Sequence, residues 1–321
     1  MSEPALVHVH GGRLLLDRLA EAGVAGEFLE WCDVLCDGPT PAGLSADDWY
    51  DLRARYHEET TGPAQRIPHR DRLIAQDRAL ALLPGPREVV LWFGPELFCQ
   101  SILMYLLSWF DGRDLCGAGL ALVDPGDLAG RPGCSVSYLG PEELVAAFAA
   151  RRPIGATETA LAGRAWQAYA APDPSALADL ASGDSPALPH LGAALRRHLE
   201  EFPERLSGLG ASERRLLEAV AGGARGWAEV YQAMQRAEAR PWMTDGIFFG
   251  RLHRLSAGPA PLLCSTDGAL ELTERGATVL AGRDQWHAER WCGGVRIDAG
   301  CPWRWDAEQR KLVSVAVGAA G

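Results

Sequence analysis

The chain has 321 residues, 47% hydrophobic, 8% aromatic and 23% charged, an ordinary globular composition with length enough for two domains. Thirty-one basic residues against forty-two acidic ones leave a net charge of −11. That is the wrong sign for a protein whose main partner is bulk nucleic acid or an anionic membrane surface. Thirty of the basic residues are Arg and one, Lys311, is Lys; beside the abundant Ala, Gly and Pro, this reads as codon bias and not as phosphate recognition.

Residues 1–4 lead directly into the apolar run of residues 5–10 without a charged leader or a long apolar core, so no signal peptide is expected. The longest apolar run, residues 89–110, contains Gly94, Pro95, Glu96 and Gln100, which are costly in hydrocarbon. It reads as a strand, a turn and a helix, with no membrane span. The eight cysteines lack disulfide-scaffold spacing, and the Cys32/Cys36 pair has no second pair after it. A cytoplasmic protein with reduced thiols and no structural zinc is expected.

Strand and helix patterns alternate through the first 150 residues. Residues 5–10 form a strand closed by Gly11 and Gly12, and Leu14, Leu15, Leu16 and Leu19 give 13–22 a helical spacing. Residues 27–32 are a second strand ending at Asp33, followed by a Pro- and Gly-rich loop over 35–41 that reads as irregular. Ser45 caps a charged helix reaching about residue 59, and residues 70–83 form another, stopped by Pro84 and Pro86. Then come a buried strand at 88–93, a helix at 97–110, strands at 119–123 and 135–139, and a helix opening at Pro141. This alternation predicts an α/β fold: a mostly parallel, Rossmann-like sheet with helices on both faces, over residues 1–150.

Residues 151–204 read as a helical connector, with an Ala/Asp/Ser/Pro-rich linker at 171–189 and a helix at 190–206 broken at Pro203. Over 205–285, helices at 212–221, 227–239 and 244–255 precede strands at 261–265 and 269–272, joined across Asp267 and Gly268, and a helix at 273–281. That is the order of a winged helix. The tail, 286–321, is rich in Trp and Gly without helical period; its tryptophans read as covering a core or a domain interface.

Several spaced motifs carry a resemblance: His8-Val-His10-Gly-Gly12, the stretch from Gly23 through Glu27 to Trp31 and Asp33, and Leu35-x2-Gly38-Pro39. Leu91-Trp-Phe93 followed by Gln100 belongs to the same set, as do Arg290-Trp-x-Gly-Gly294 and Trp303-Arg-Trp-Asp306 in the tail. In this order they resemble the bacterial domain-of-unknown-function 1835 family over about residues 5–123 and part of the C-terminal region. The resemblance implies the strand–loop layout and no particular reaction. Where members of that family often carry Asn-Gly-Asp-Ser and His-Asp, this chain has His10-Gly11-Gly12-Arg13 and Pro95-Glu96.

Ligands of doubly wound sheets bind outside the carboxyl ends of the strands. The candidates there are His10, Asp33 and Glu96 for acid/base catalysis, and Gly11, Gly12, Arg13, Asp37, Gly38, Arg53 and Gln100 for binding. Each has a structural alternative: Gly11-Gly12 as a tight turn, Asp37 as a turn cap, Glu96 as a solvated helix-start carboxylate, His10 as a rim histidine. His8 reads as a core histidine. The expected function is binding of a small anionic metabolite or nucleotide, with hydrolysis or group transfer as the reaction class and no cofactor or oligomeric state implied. The alternative is a ligand-sensing regulator whose winged helix contacts DNA or a protein. Its third helix carries Arg251, His253 and Arg254, yet residues 205–290 hold eleven basic and ten acidic residues, little charge for neutralising phosphates.

Overall fold

The computed structural model describes residues 5–61, 67–125 and 134–316. Residues 1–4, read above for a leader, lie outside that set. In β1 (Ala5–Gly11), Val7 and Val9 enter one apolar layer while His8 and His10 face the opposite side of the sheet. Gly12 then releases α1 (Arg13–Glu21), and β2 (Glu27–Trp31) returns parallel beside β1. The two-residue β3 (Gly38–Pro39) is followed by α2 (Ala46–Thr61), α3 (His69–Ala81), β4 (Arg87–Trp92), α4 (Leu97–Phe110) and β5 (Gly119–Val123). After α5 (Pro141–Ala149) come β6 (Arg152–Ile154) and α6 (Ala156–Ala170).

The five-stranded sheet runs β2-β1-β4-β5-β6, parallel except for β6. Leu15 and Leu19 of α1 and Leu144 of α5 pack with Val90, Trp92 and Val123 on one face. Leu80 of α3 and the apolar sides of α4 and α6 pack with Val9, Val89 and Leu91 on the other. Because β2 and β4 flank β1 on opposite sides, the topological switch point lies between β1 and β4.

Downstream, α7 (Ser175–Ser182) packs on α8 (Leu191–Leu199). Then α9 (Ala211–Ala221), α10 (Trp227–Ala237), α11 (Asp245–Ser256), the hairpin β7 (Leu263–Thr266) and β8 (Ala269–Leu272), and α12 (Glu274–Leu280) follow as helix–helix–helix–hairpin–helix. Their core includes Cys36, Leu97 and Ala194 from the preceding part of the chain, so these helices are docked upon it. The tail forms β9 (Arg290–Gly293), β10 (Val295–Ile297), β11 (Trp303–Asp306) and β12 (Lys311–Ser314).

Three segments differ from the sequence reading. Residues 135–139 hold the 3₁₀ turn Val136–Tyr138, because the Ser135 hydroxyl accepts from the Ser137 N–H and bends the chain; the edge of the sheet is β6 instead. Residues 171–189 contain α7, since Leu177, Ala181 and Leu188 are enough to seal a short helix into the main core. Residues 35–41 are not wholly irregular. There β3 pairs in parallel with β9, Gly38 opposite Cys292 and Pro39 opposite Gly293, which folds the tail back onto the sheet domain. Gly294 permits that approach, for a Cβ there would stand 1.9 Å from the Ala170 carbonyl oxygen.

Candidate functional site

The turn after β2 carries two acids, and the next helix supplies their first partners. Arg53 of α2 is fully buried and donates to Asp33 from Nε (3.0 Å) and Nη2 (2.5 Å). Its remaining N–H groups reach the carbonyls of Asp37 (2.8 Å), Val34 (2.9 Å) and Pro39 (3.2 Å), so one guanidinium ties down the whole loop. His57 Nε2 lies 2.9 Å from the same Asp33 carboxylate, and Gln76 Oε1 accepts from the Cys32 and Asp33 backbone N–H groups. Burial by itself would raise the Asp33 pKa. The Arg53 charge, helped by His57, overrides it and holds the carboxyl at about 2.

Asp37 reaches across to the C-terminal helices. Its Oδ2 accepts from Tyr56 Oη (2.6 Å), and its Oδ1 lies 2.6 Å from Nη2 of Arg251 on α11. Gly38 makes this geometry accessible: its φ is +79°, and a Cβ would sit 2.4 Å from the Tyr56 ring. Against the upward push of burial, Arg251 and the Tyr56 hydroxyl keep the Asp37 carboxyl below its usual range. Glu201 stands 3.9 Å from Arg251 and is held at about 2, burial being outweighed by Arg197 and Arg251.

These groups wall a cavity of about 920 Å³ between the β2–β3 loop, α2, α8, α11, the β7–β8 hairpin and β9. That volume lies in the ~300–1,000 Å³ range of small-molecule pockets. Its cations are unequally served. Arg251 has Asp37 and Glu201, and Arg290 has Glu213 at 3.5 Å. The Arg254 side chain makes no hydrogen bond among the described residues; its Nε is buried without a partner, and Glu213 stands off at 3.7 Å. Burial and the neighbouring Arg251 charge lower the Arg254 pKa, so its environment disfavours the cation it must carry.

The cavity also presents one bare acceptor. Tyr169 Oη donates to the Leu35 carbonyl (3.0 Å), so it accepts from His198 Nδ1 (3.3 Å). That leaves His198 Nε2 as a lone-pair acceptor with no partner among the described residues, on an imidazole that burial holds at about pKa 4 and hence neutral. The thiols of Cys36 and Cys292 line the same space, and burial pushes both far above neutrality, which removes them as nucleophiles.

Of the residues singled out from sequence, Asp33, Asp37, Gly38 and Arg53 come together at this loop. The others stand at the switch point. His10 is fully buried on the Phe28 side of the sheet, its pKa lowered by burial. The rings of Phe93 and Phe98 lie against Gly11, and Gly12 is the turn before α1. Arg13 is exposed and paired with Asp17 on its own helix (3.1 Å). Glu96, expected as either a catalytic acid or a solvated helix-start carboxylate, is buried, accepts from Ser135 Oγ (2.8 Å), and has its pKa raised by burial. Gln100 donates to the Gly94 carbonyl (2.7 Å), and Arg240 Nη1 to that of Pro95 (3.3 Å). His8 is a satisfied core histidine: Trp92 Nε1 donates to its Nδ1 (3.0 Å), and its Nε2 faces the Ala25 carbonyl (3.1 Å).

The sequence does not single out Tyr56, His57, His198, Glu201, Glu213 or Arg290 as site residues, and it offers Arg251 and Arg254 only as cations of a third helix that the alternative reading would turn toward DNA or a protein. A signal was present. Ile247, Arg251 and Leu255 are four residues apart and all buried, a charge set within an apolar stripe. No protein-family model matches the chain, and no curated protein or solved structure matches it.

Proposed function

We propose that the chain binds a small anionic molecule in the cavity between the sheet domain and the C-terminal helices, with Arg254 taking the acidic group. The observation that carries this reading is Arg254 itself, a guanidinium facing the cavity with an unpartnered Nε and one distant carboxylate. A ligand oxyanion would supply the charge-assisted hydrogen bonds it lacks. The reading is of binding, not of hydrolysis or group transfer, because Asp33 and Asp37 are deprotonated and engaged and the thiols are protonated.

The helix–helix–helix–hairpin–helix unit is, on this reading, a winged-helix-like cover for the cavity. A DNA reader needs its third helix free for a groove, whereas α11 packs on α2 and sends Arg251 inward to Asp37. The resemblance to the domain-of-unknown-function 1835 family fits the same reading: its loop motif ending at Gly38-Pro39 and its tail motif at Arg290–Gly293 lie side by side as β3 and β9.

The test is a titration of the full chain with inorganic phosphate and with succinate, read by melting temperature, against Arg254→Leu. The wild type gains stability with ligand by mass action. Arg254→Leu, which removes an under-neutralised buried cation, melts at or above the unliganded wild type and does not respond. A variant that responds like the wild type, or a wild type indifferent to both anions, overturns the reading.

A further inference from the structure

Two of the large apolar side chains left exposed on the described surface, Trp227 (53% exposed) and Phe249 (42%), touch each other with ring centroids 5.3 Å apart. Both line the cavity that contains Arg254. Trp227 opens α10 and Phe249 lies on α11, so the pair spans two helices, with ring planes inclined at 50° to form an aromatic corner. Ser265 and Gly268 of the β7–β8 hairpin belong to the same lining, and they add a hydroxyl and an unobstructed stretch of backbone. An exposed aromatic pair on a cavity wall is an unfilled stacking surface: planar rings pack on one another in offset or edge-to-face arrangements and exclude water, and bases stack on such side chains with little regard to their identity.

Resting on the anion-binding reading above, we infer that the ligand is a planar heteroaromatic ring joined to an acidic tail, of the nucleoside monophosphate class, its ring on Trp227 and Phe249 and its phosphate at Arg254. The cavity of about 920 Å³ has room for ring, sugar and phosphate together. The bare acceptor at His198 Nε2 belongs to the same lining and suits a hydroxyl donor, as a ribose provides.

Three probes separate the parts: AMP carries ring and phosphate, ribose 5-phosphate the phosphate alone, and adenosine the ring alone. Affinities for the wild type, Trp227→Ala and Phe249→Ala are read by calorimetry. AMP is expected to bind the wild type about tenfold or more tightly than ribose 5-phosphate, the worth of one stacked base. Both aromatic variants should bring AMP down toward ribose 5-phosphate and leave ribose 5-phosphate unchanged; as both side chains are exposed, neither change threatens folding. If ribose 5-phosphate binds through Arg254 and AMP binds no better, the ring inference is wrong and the anion reading stands. If neither binds, both fall. If adenosine binds as tightly as AMP and Arg254→Leu leaves it unaffected, the aromatic wall is a separate ring site and the assignment of a joined tail is overturned.

Discussion

At the switch point of the sheet, Glu96 is buried against a serine hydroxyl; in the loop after β2, Asp33 is buried against a guanidinium and an imidazole. Both carboxylates are shut away from water, yet burial raises the pKa of the first, while Arg53 and His57 hold the second at about 2. Desolvation penalises the charged form of either acid, and at Asp33 a cation within contact distance, with the hydrogen bonds it and His57 donate, reverses the sign. Among the described residues, the carboxyl ends of β1 and β4 form a closed layer with no buried cation paired to its acid: Phe93 and Phe98 cover Gly11, and Arg240 binds the Pro95 carbonyl above. The cavity under α11 gathers charges of both signs, and the buried Nε of Arg254 has no hydrogen-bond partner among the described residues. Position at the strand ends marks where a ligand often binds in such folds, and unpartnered atoms of His10 and Glu96 do lie there, but a site also needs open space, and in this molecule the cavity lies one loop further out.

The sharpest way to break this comparison is Asp33→Ala, which strands Arg53 in the core without its carboxylate. A loss of about 3–5 kcal/mol in urea denaturation is expected, and replacing both residues by apolar ones should cost less than the single change. A loss below about 1 kcal/mol would show that Arg53 is neutralised elsewhere. The acid limb carries the same information. Because the folded pKa of Asp33 is depressed from 3.8 to about 2, its contribution is complete above about pH 4 and lost as the pH falls through about 2. The stability gap between wild type and Asp33→Ala should therefore narrow over that interval.

Glu96→Gln should move stability in the opposite direction. Glutamine keeps the acceptor for Ser135 Oγ and removes a carboxylate whose ionised form burial disfavours. A gain on the order of 1 kcal/mol is expected at pH 8. With a folded pKa raised above the unfolded one, the destabilisation belongs to the high-pH side, so the gain should shrink as the pH is lowered toward the ordinary carboxylate range. A loss at pH 8 that fades as the carboxyl is protonated in acid would mean that Glu96 has an unrecognised cationic partner. The smallest effect belongs to Arg13→Ala, where an exposed pair with Asp17 is removed; a change within about 0.5 kcal/mol is expected in the same denaturation assay. A larger loss would point to a structural role at the switch point.

The candidate residues were legible in unequal degree. Asp33, Asp37 and Arg53 stand out because acids beside a strand end and a cation on the following helix are suspicious in any α/β chain. Asp33 is nevertheless a buried structural anchor and no loop-facing rim charge: at 2% exposure its role is set by Arg53, twenty residues on. His10 and Glu96 have the positions expected of catalytic groups and lie beneath packed rings or hydroxyls instead. Arg251 and Arg254 drew notice only as cations on a third helix. Their spacing, three apart, allows an outward basic face as readily as an inward one, and only the packing of α11 on α2 separates the two.

Alternation of apolar residues, glycine and proline stops, and helix caps act over a few residues. The helix Leu97–Phe110 and the strand Gly119–Val123 were therefore determined by the sequence alone. The β3–β9 pairing, the Asp37–Arg251 contact and the neutral His198 with its bare Nε2 depend on which distant segments meet. Charge compensation and hydrogen-bond satisfaction are settled within a few ångströms of space and have no period along the chain. The tertiary structure alone decided which acids were neutralised, and that Arg254 was not.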